Sequence, residues 1–404
     1  VLDADGRVVV STPVAVKGYP NITFLVGLVA SEQGALASIA GAKPLDMERP
    51  LVLVSAGLEE LPERMEGLRS LDALVLNDVD TSSLTLGQRA ALESWVSQGG
   101  RLVLGGGAGA RRTAAGLPEA LLPVLPRDEV ELETLPGLAA YAGGEAVRVL
   151  GPFLASVGEV QPGRTLAEQE GLPLVRQRSL GAGRVAWVAL DLAGSPLNAW
   201  AGTVGFWEQL LLVDARFPAG TPADVSPREM RSFQMTYALS NLPSLDLPSI
   251  RGLSILLGIY IAIVGPINYL LLRAFKRLQW AWFTIPLLTL LFSGGAFALG
   301  YGLRGTDLIL NKVVLVRANR EGPPHVDAYL GLFSPSRQSY EIEVEGRGLL
   351  SPVAQEGDPF RGGNTATGGE MTFLQGSPSR VQGLAINQWS MQTFVSEDVW
   401  TDAG

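Results

Sequence analysis

The sequence predicts a three-part chain: an α/β domain, a two-helix hairpin of membrane length and an all-β, sandwich-like domain. Three observations carry this. Up to about residue 215, apolar runs of strand length alternate with helical segments; two uncharged apolar runs follow in tandem at about 253–272 and 280–302; after 304, short alternating segments between Gly, Pro and Ser turns show no helical period. Residues 216–250, rich in Pro and Ser, read as a linker. The expected domains are therefore 1–215, the linker 216–250, a hairpin over 251–303 and a β domain over 304–404.

In the first domain "NITFLVGLVA" reads as a buried strand and "SEQGALASIAG" as a short helix opened by a serine cap. "LVLVSA" and "DALVLND" are continuous apolar runs, as in a parallel sheet covered on both faces. "TLGQRAALESWVSQGG" is a helix with a capping box at Thr85 and Gln88, a buried side including Leu86, Ala90, Trp95 and Val96, and a stop at Gly99. "RLVLGGG" is the next strand. "LPLVRQRSLGAGRVAWVALD" gives two antiparallel strands joined at Gly181–Gly183, and "GTVGFWEQLLLVDARF" a closing helix.

The two apolar runs each suffice for about 30 Å of hydrocarbon, and aromatic residues flank the second. The loop between them carries Arg273, Lys276 and Arg277 and no acid, whereas the outer flanks mix Asp246 and Arg251 with Arg304, Asp307 and Lys312. The positive-inside rule then places the Arg273–Arg277 loop in the cytoplasm and both large domains outside it. Small residues recur every fourth position, at Gly258 and Ala262 and at Gly294, Ala298 and Gly302, a spacing that admits close helix packing. Pro266 should kink the first span. Asn268 is a polar group at membrane depth, facing a partner helix or bonding a carbonyl freed by the proline. Neither span holds a charge, which argues against an ion path.

Past the hairpin, "KVVLVRA", "HVDAYLGLFS", "SYEIEVEG", "EMTFLQGS" and "QTFVSEDVW" read as strands, with "RGGNTATGGE" a flexible loop.

Composition narrows the chemistry. The chain of 404 residues has 47% hydrophobic residues, no cysteine and one histidine, His325; its mean hydropathy is positive. Disulfides, thiol nucleophiles and cysteine-based metal sites are excluded, a zinc site is not expected from one imidazole, and no cofactor is expected. A net charge of −9 argues against nucleic acid as a partner. The absence of cysteine suits an extracytoplasmic setting, and Val1 at the start leaves room for a signal peptide or upstream segment.

At "LDALVLNDVDTSSLTLGQRAALESWVSQGGRLVLGGG" the chain resembles the class I glutamine-amidotransferase-like domains, flavodoxin-like in architecture, that are embedded in bacterial membrane proteins. "LGAGRVAWVALDLAGSPLNAW" resembles the late hairpin of those domains, and "GPINYLLLRAFKRLQWAWFTIPLL" the two-span segment that follows in uncharacterised members. Some relatives accompany ABC-type transport systems. In catalytic amidotransferases the strand equivalent to the one ending at Gly105 leads into an elbow bearing a cysteine. Here Gly105, Gly106 and Gly107 stand there, so glutaminase chemistry, which needs a thiolate, is excluded.

Two readings of the glycines remain. Gly105, Gly107 and Ala110 fit a relaxed dinucleotide fingerprint, but Gly116 and Pro118 break the helix that should follow and no strand ending in an acid lies about 20 residues on. The other is a close-packed turn needing positive φ, with Arg111 and Arg112 beyond it as anion contacts or solvated charges. Asn77, Asp78 and Asp80 follow a strand where α/β sheets place their sites; they offer an acid–base pair, a cation site or a turn-forming Asx–Ser cluster. Asp191 also follows a strand and would face the same crevice.

The expected function is a non-enzymatic, membrane-anchored scaffold or accessory subunit of a larger membrane complex. Its partners would be other membrane subunits and the lipid bilayer. The alternatives are a ligand- or glycan-binding module and a carboxylate-dependent hydrolase, both using the crevice.

Overall fold

The apolar runs of the first domain become the centre of a seven-stranded sheet. The computed structural model describes residues 17–20, 23–43, 50–212, 227–240, 250–304, 308–318, 324–346, 348–353 and 371–399. The chain divides into two compact units, residues 1–227 with 319–323, and 228–318 with 324–404.

In the first unit the strands are β1 (Phe24–Ala30), β2 (Leu51–Ser55), β3 (Ala73–Asn77), β4 (Arg101–Gly105), β5 (Val124–Leu132), β6 (Phe153–Val160), β7 (Arg164–Gln169), β8 (Leu172–Leu180) and β9 (Gly183–Val188). The main sheet runs β2-β1-β3-β4-β9-β8-β7, parallel from β2 to β9 and antiparallel across β9-β8-β7. Every residue of β3 is buried, as a central parallel strand covered on both faces requires. β1 pairs with β2 on one side and with β3 on the other, so the winding reverses between β1 and β3 and a crevice opens at their carboxyl ends. β5 and β6 form a separate two-stranded ribbon.

The helix α1 (Leu86–Ser97) carries the expected capping box. Gln88 N–H donates to Thr85 Oγ1 at 3.2 Å and Thr85 N–H to Gln88 Oε1 at 3.0 Å, and Gly99 follows at φ 121°. Its buried side includes Ala91, Leu92, Trp95 and Val96, whereas Leu86, at the first turn, is 83% exposed and Ala90 is exposed as well. The segment after β1 is a 3₁₀ helix (Gln33–Gly41) with no side-chain cap; Ser31 bonds elsewhere, as described below. Short helices α2 (Ala110–Ala114), α3 (Pro136–Tyr141) and α4 (Thr203–Trp207) complete the unit, and a π turn at Glu208–Leu212 follows α4.

The second unit opens inside the stretch read as linker. Residues 227–240 form helix α5, and its Met235 and Leu239 pack on the β domain. The flanking parts, 213–226 and 241–249, lie outside the described residues, as does the "RGGNTATGGE" loop. The hairpin follows: α6 (Ile250–Ala262), a π turn at Ile263–Ile267 that contains Pro266, α7 (Asn268–Ala274) and α8 (Ala281–Arg304). The π turn accommodates the proline, which has no N–H for the α-helical ladder. Two segments, Ser254–Ala274 and Leu278–Ala298, are long and apolar enough to cross a membrane. Asn268 and Leu272, one turn apart, are buried, while Tyr269, Leu270 and Leu271 between them and Ile267 before them are exposed. The two arms meet through aromatic and hydroxyl groups. Tyr260 Oη and Thr289 Oγ1 are hydrogen-bonded at 3.1 Å, and the Tyr260 and Phe292 rings lie 5.0 Å apart. A Cβ at Gly258 or Gly294 would meet nothing within 4 Å; Ala298 is exposed and Ala262 partly buried, and the surroundings of Gly302 lie outside the described residues. The glycines of the small-residue stripes are thus turned away from the contact between the arms.

The β domain holds β10 (Ile309–Arg317), β11 (His325–Ser334), β12 (Gln338–Val344), β13 (Leu349–Pro352), β14 (Thr372–Leu374), β15 (Ser379–Ile386) and β16 (Ser390–Val399). They form two antiparallel sheets, β10-β11-β16-β13 and β12-β15-β14. Leu330, Leu332, Leu350 and Phe394 of the first sheet pack with Val381, Leu384 and Ile386 of the second. Side chains alternate along a strand, so Tyr329 and Val395 point to the opposite face, which α5 covers with Leu239.

Candidate functional site

The crevice at the β1/β3 reversal brings the sequence-predicted residues together. β3 ends at Asn77, whose side chain is fully buried. Its Nδ2 donates to Asp191 Oδ1 at 2.8 Å, and its Oδ1 accepts from Leu192 N–H at 3.1 Å. Asp191 Oδ1 also accepts from Ala193 N–H at 2.9 Å. The loop after β9 is therefore tied to the end of β3 across the end of β4.

The glycine run makes this possible. Gly106 N–H donates to Leu190 O at 3.0 Å and Gly107 N–H to Ala189 O at 2.8 Å. A Cβ at Gly105 would collide with the Asn77 amide oxygen, and one at Gly106 with the Val188 and Ala189 carbonyls. Gly107 sits at φ 65° against Asp191, a conformation that glycine adopts without strain. Two of the amides that a phosphate-binding loop would offer are already used within the chain. No side chain projects from the position an elbow nucleophile would take.

Asp78 adopts φ 52°, tolerable for an aspartate. Its carboxylate pairs with Arg112 and accepts from Ser31 Oγ at 2.9 Å; the Asp78 hydrogen bond raises the Arg112 pKa above its ordinary value. Asp80 accepts from Ser82 Oγ at 2.6 Å and Ser82 N–H at 3.1 Å. The serine hydroxyl, then the amide, hold its carboxyl below the usual carboxylate range. Asp80 thus builds the turn before α1. The Asp78 carboxylate is directed instead to Arg112. Arg111 lies 4.0 Å from Glu129.

A second cluster, on β10, β11 and β16, was not singled out from the sequence. His325 and Asp327, two residues apart on β11, are each 2% exposed, and His325 Nε2 lies 2.7 Å from Asp327 Oδ1. Arg317 Nη2 donates to Asp327 Oδ2 at 2.9 Å. Glu397, buried on β16, stands opposite Asp327 in register. Burial pushes the Asp327 carboxyl up, but the His325 hydrogen bond with the positive charges of His325, Arg317 and Arg231 outweighs it and holds the carboxyl below its ordinary value. Burial, then the Asp327 charge, raises the Tyr329 hydroxyl. His325, Asp327 and Glu397 each bring a potential ligand atom within 4.8 Å of the others. Two guanidiniums already balance the carboxylates, so the group has the charge of a closed ion network and not of an open cation site. Arg231, Met235 and Leu239 recur every fourth residue on α5, so the stripe that packs on Tyr329 and Val395 also brings Arg231 to this network. The sequence signal available was the His-x-Asp alternation at 325–327, which puts both residues on one strand face.

No protein-family profile matches the chain, and no curated protein sequence matches it. Among solved structures it is similar to the cytoplasmic protein STM1381 from Salmonella typhimurium LT2, at 18% identity over 46% of this chain and 98% of that one, with a TM-score of 0.37. The exo-beta-1,4-mannosidase Op5Man5 from Opitutaceae bacterium strain TAV5 is 18% identical over 46% of this chain and 36% of its own, with a TM-score of 0.32. A beta-galactosidase from Bacillus circulans is 10% identical over 93% of this chain and 41% of its own, with a TM-score of 0.29. Likenesses this distant carry no argument about activity.

Proposed function

We propose that the chain is a non-catalytic, membrane-anchored scaffold or accessory subunit of a larger membrane complex. In this reading its α/β domain is a class I amidotransferase-like fold, and both large domains lie outside the cytoplasm. The observation that carries the reading is the crevice closed by Asn77, Asp191 and Leu192: where catalytic relatives would hold a nucleophile, this chain bonds to itself. The parallel order β2-β1-β3-β4-β9 matches the flavodoxin-like order, which supports the resemblance seen in the sequence.

The hairpin supplies the membrane part. Its apolar side chains are exposed and its Asn268 is turned inward, the reverse of a water-facing helix pair. The open Gly258 and Gly294 positions offer a surface on which another helix can approach closely.

Gly294→Leu with Ala298→Leu tests the assembly. In mild detergent the wild-type should run as a complex larger than one chain, and the double substitution should release the monomer without unfolding it. A wild-type that is monomeric in native-membrane extracts, with both arms in contact with lipid alone, overturns the scaffold reading.

A further inference from the structure

The β domain leaves one apolar surface open. β10 is the edge strand of its sheet, and along it partly buried and exposed side chains alternate. Leu310, Val314 and Val316, with Leu308 just before the strand, are between 46% and 62% exposed, and Lys312 stands among them, also exposed. Their spacing of two puts the strand residues on one face. Leu310 is the register partner of Leu332 and Lys312 that of Leu330, so this is the face that carries the core between the two sheets. That core draws on β11, β13 and β16 of this sheet and on no described residue of β10. The strip therefore runs on from the core past the cover of the second sheet. The other face of β10 is accounted for, since Val313 packs on the cluster that α5 covers.

A row of aliphatic side chains beside an unpaired strand edge is a surface that folded proteins cover. What covers this one follows from where the strand starts. α8 has 24 residues and rises about 36 Å, which spans about 30 Å of hydrocarbon and leaves the depth of one headgroup layer. Arg304, its last residue, then lies among the headgroups. Leu308 is four residues on, at most about 14 Å away with the chain fully extended. The strip is thus delivered to the bilayer surface by its own tether. Aliphatic side chains seat in the headgroup–acyl boundary, and a lysine between them extends its ammonium to the lipid phosphates. Water in the headgroup layer satisfies the unpaired strand edge, which the hydrocarbon core would not.

We propose that the β10 strip docks on the bilayer surface at the end of α8 and seats the β domain there. This rests on the membrane-anchored reading of the hairpin.

The test uses the full chain, which has no cysteine of its own, in nanodiscs of phosphatidylcholine and phosphatidylglycerol. A fluorophore is attached through Leu310→Cys, Val314→Cys, Ser339→Cys on β12 or Leu290→Cys in the hairpin, all at exposed positions. Lipids carrying nitroxide quenchers at two chain depths then locate it. The labels at 310 and 314 should lie about 5–10 Å into the headgroup–acyl boundary, the label at 290 in the hydrocarbon core and the label at 339 in water. Quenching at 290 without quenching at 310 and 314 overturns the docking and leaves the hairpin reading intact. No quenching at 290 overturns both. Equal quenching at 339 and 310 also overturns the docking, because the strip would then be no nearer the lipid than β12. If the 310 and 314 positions are shielded from lipid and cross-link between copies, a second copy of the chain covers the strip and the proposal fails.

Discussion

Replacing Asp327 with alanine tests the account of how α5 is held on the β domain. The carboxylate is 2% exposed and is met by two side chains, with Arg317 Nη2 at 2.9 Å and His325 Nε2 at 2.7 Å. Removing it takes the acceptor from a guanidinium and a buried imidazole and leaves Glu397 as the remaining carboxylate of the cluster. Breaking a buried pair from one side costs about 3–5 kcal/mol, a large part of the roughly 5–15 kcal/mol that holds a typical domain. The loss should concentrate where the network meets α5, through Arg231. Hydrogen exchange followed by mass spectrometry reads it directly: protection of peptides covering 227–240 and 325–334 should fall by about a hundredfold or more, since each tenfold is about 1.4 kcal/mol. Protection in β1, β3 and β4 should stay as it was, because those strands belong to the other unit. A fall of less than tenfold at α5, or an equal fall in β3, would refute the reasoning. The pH dependence has a fixed sign. The folded-state carboxyl sits below its ordinary value of 3.8, so its contribution is fully present above that value and is lost as pH falls through the lower folded one. Acid should therefore loosen α5 in the wild-type and change little more in Asp327→Ala.

Two further outcomes follow from the geometry. Gly106→Ala drives a Cβ into the Val188 and Ala189 carbonyls, which are backbone and cannot swing aside; it should lower the melting temperature of the α/β unit by several degrees at least, whereas Gly294→Ala, with open space around it, should leave melting unchanged, and differential scanning calorimetry compares the two. Single cysteines at Ser70, Lys276 and Ser339, introduced into a chain that has none of its own, report topology: an impermeant thiol reagent added outside intact cells should label the first and third and spare Lys276, and the inverse pattern means the orientation is reversed.

Much of the fold was legible in the sequence because it is written in local periodicity. The capping box at Thr85 and Gln88, the apolar run of β3, the β8–β9 turn at Gly181 and the two long apolar helices all arise from residues close in sequence. Local reading failed where a short signal met a distant partner. The 227–240 segment is short and lies among proline- and serine-rich stretches that dominate the pattern; it becomes a packed helix because Met235 and Leu239 find Tyr329, Val353 and Val395. Leu86 fits the buried stripe of α1 by spacing alone, but at the first turn its side chain has no neighbouring layer to enter.

The sequence by itself determined which chemistry is absent and where the elements fall. With no cysteine there is no thiolate, and the glycines at 105–107 carry no functional side chain. Only the tertiary structure decided what those residues do instead. Asn77 reaches Asp191 across 114 residues of chain, and Asp327 meets Arg317 and faces Glu397 only through strand register. Arg101 stands beside Arg184 because β4 pairs with β9, although β5 to β8 intervene in sequence. These neighbours are set by sheet order and burial, which the whole chain settles at once, and no local window of residues contains them.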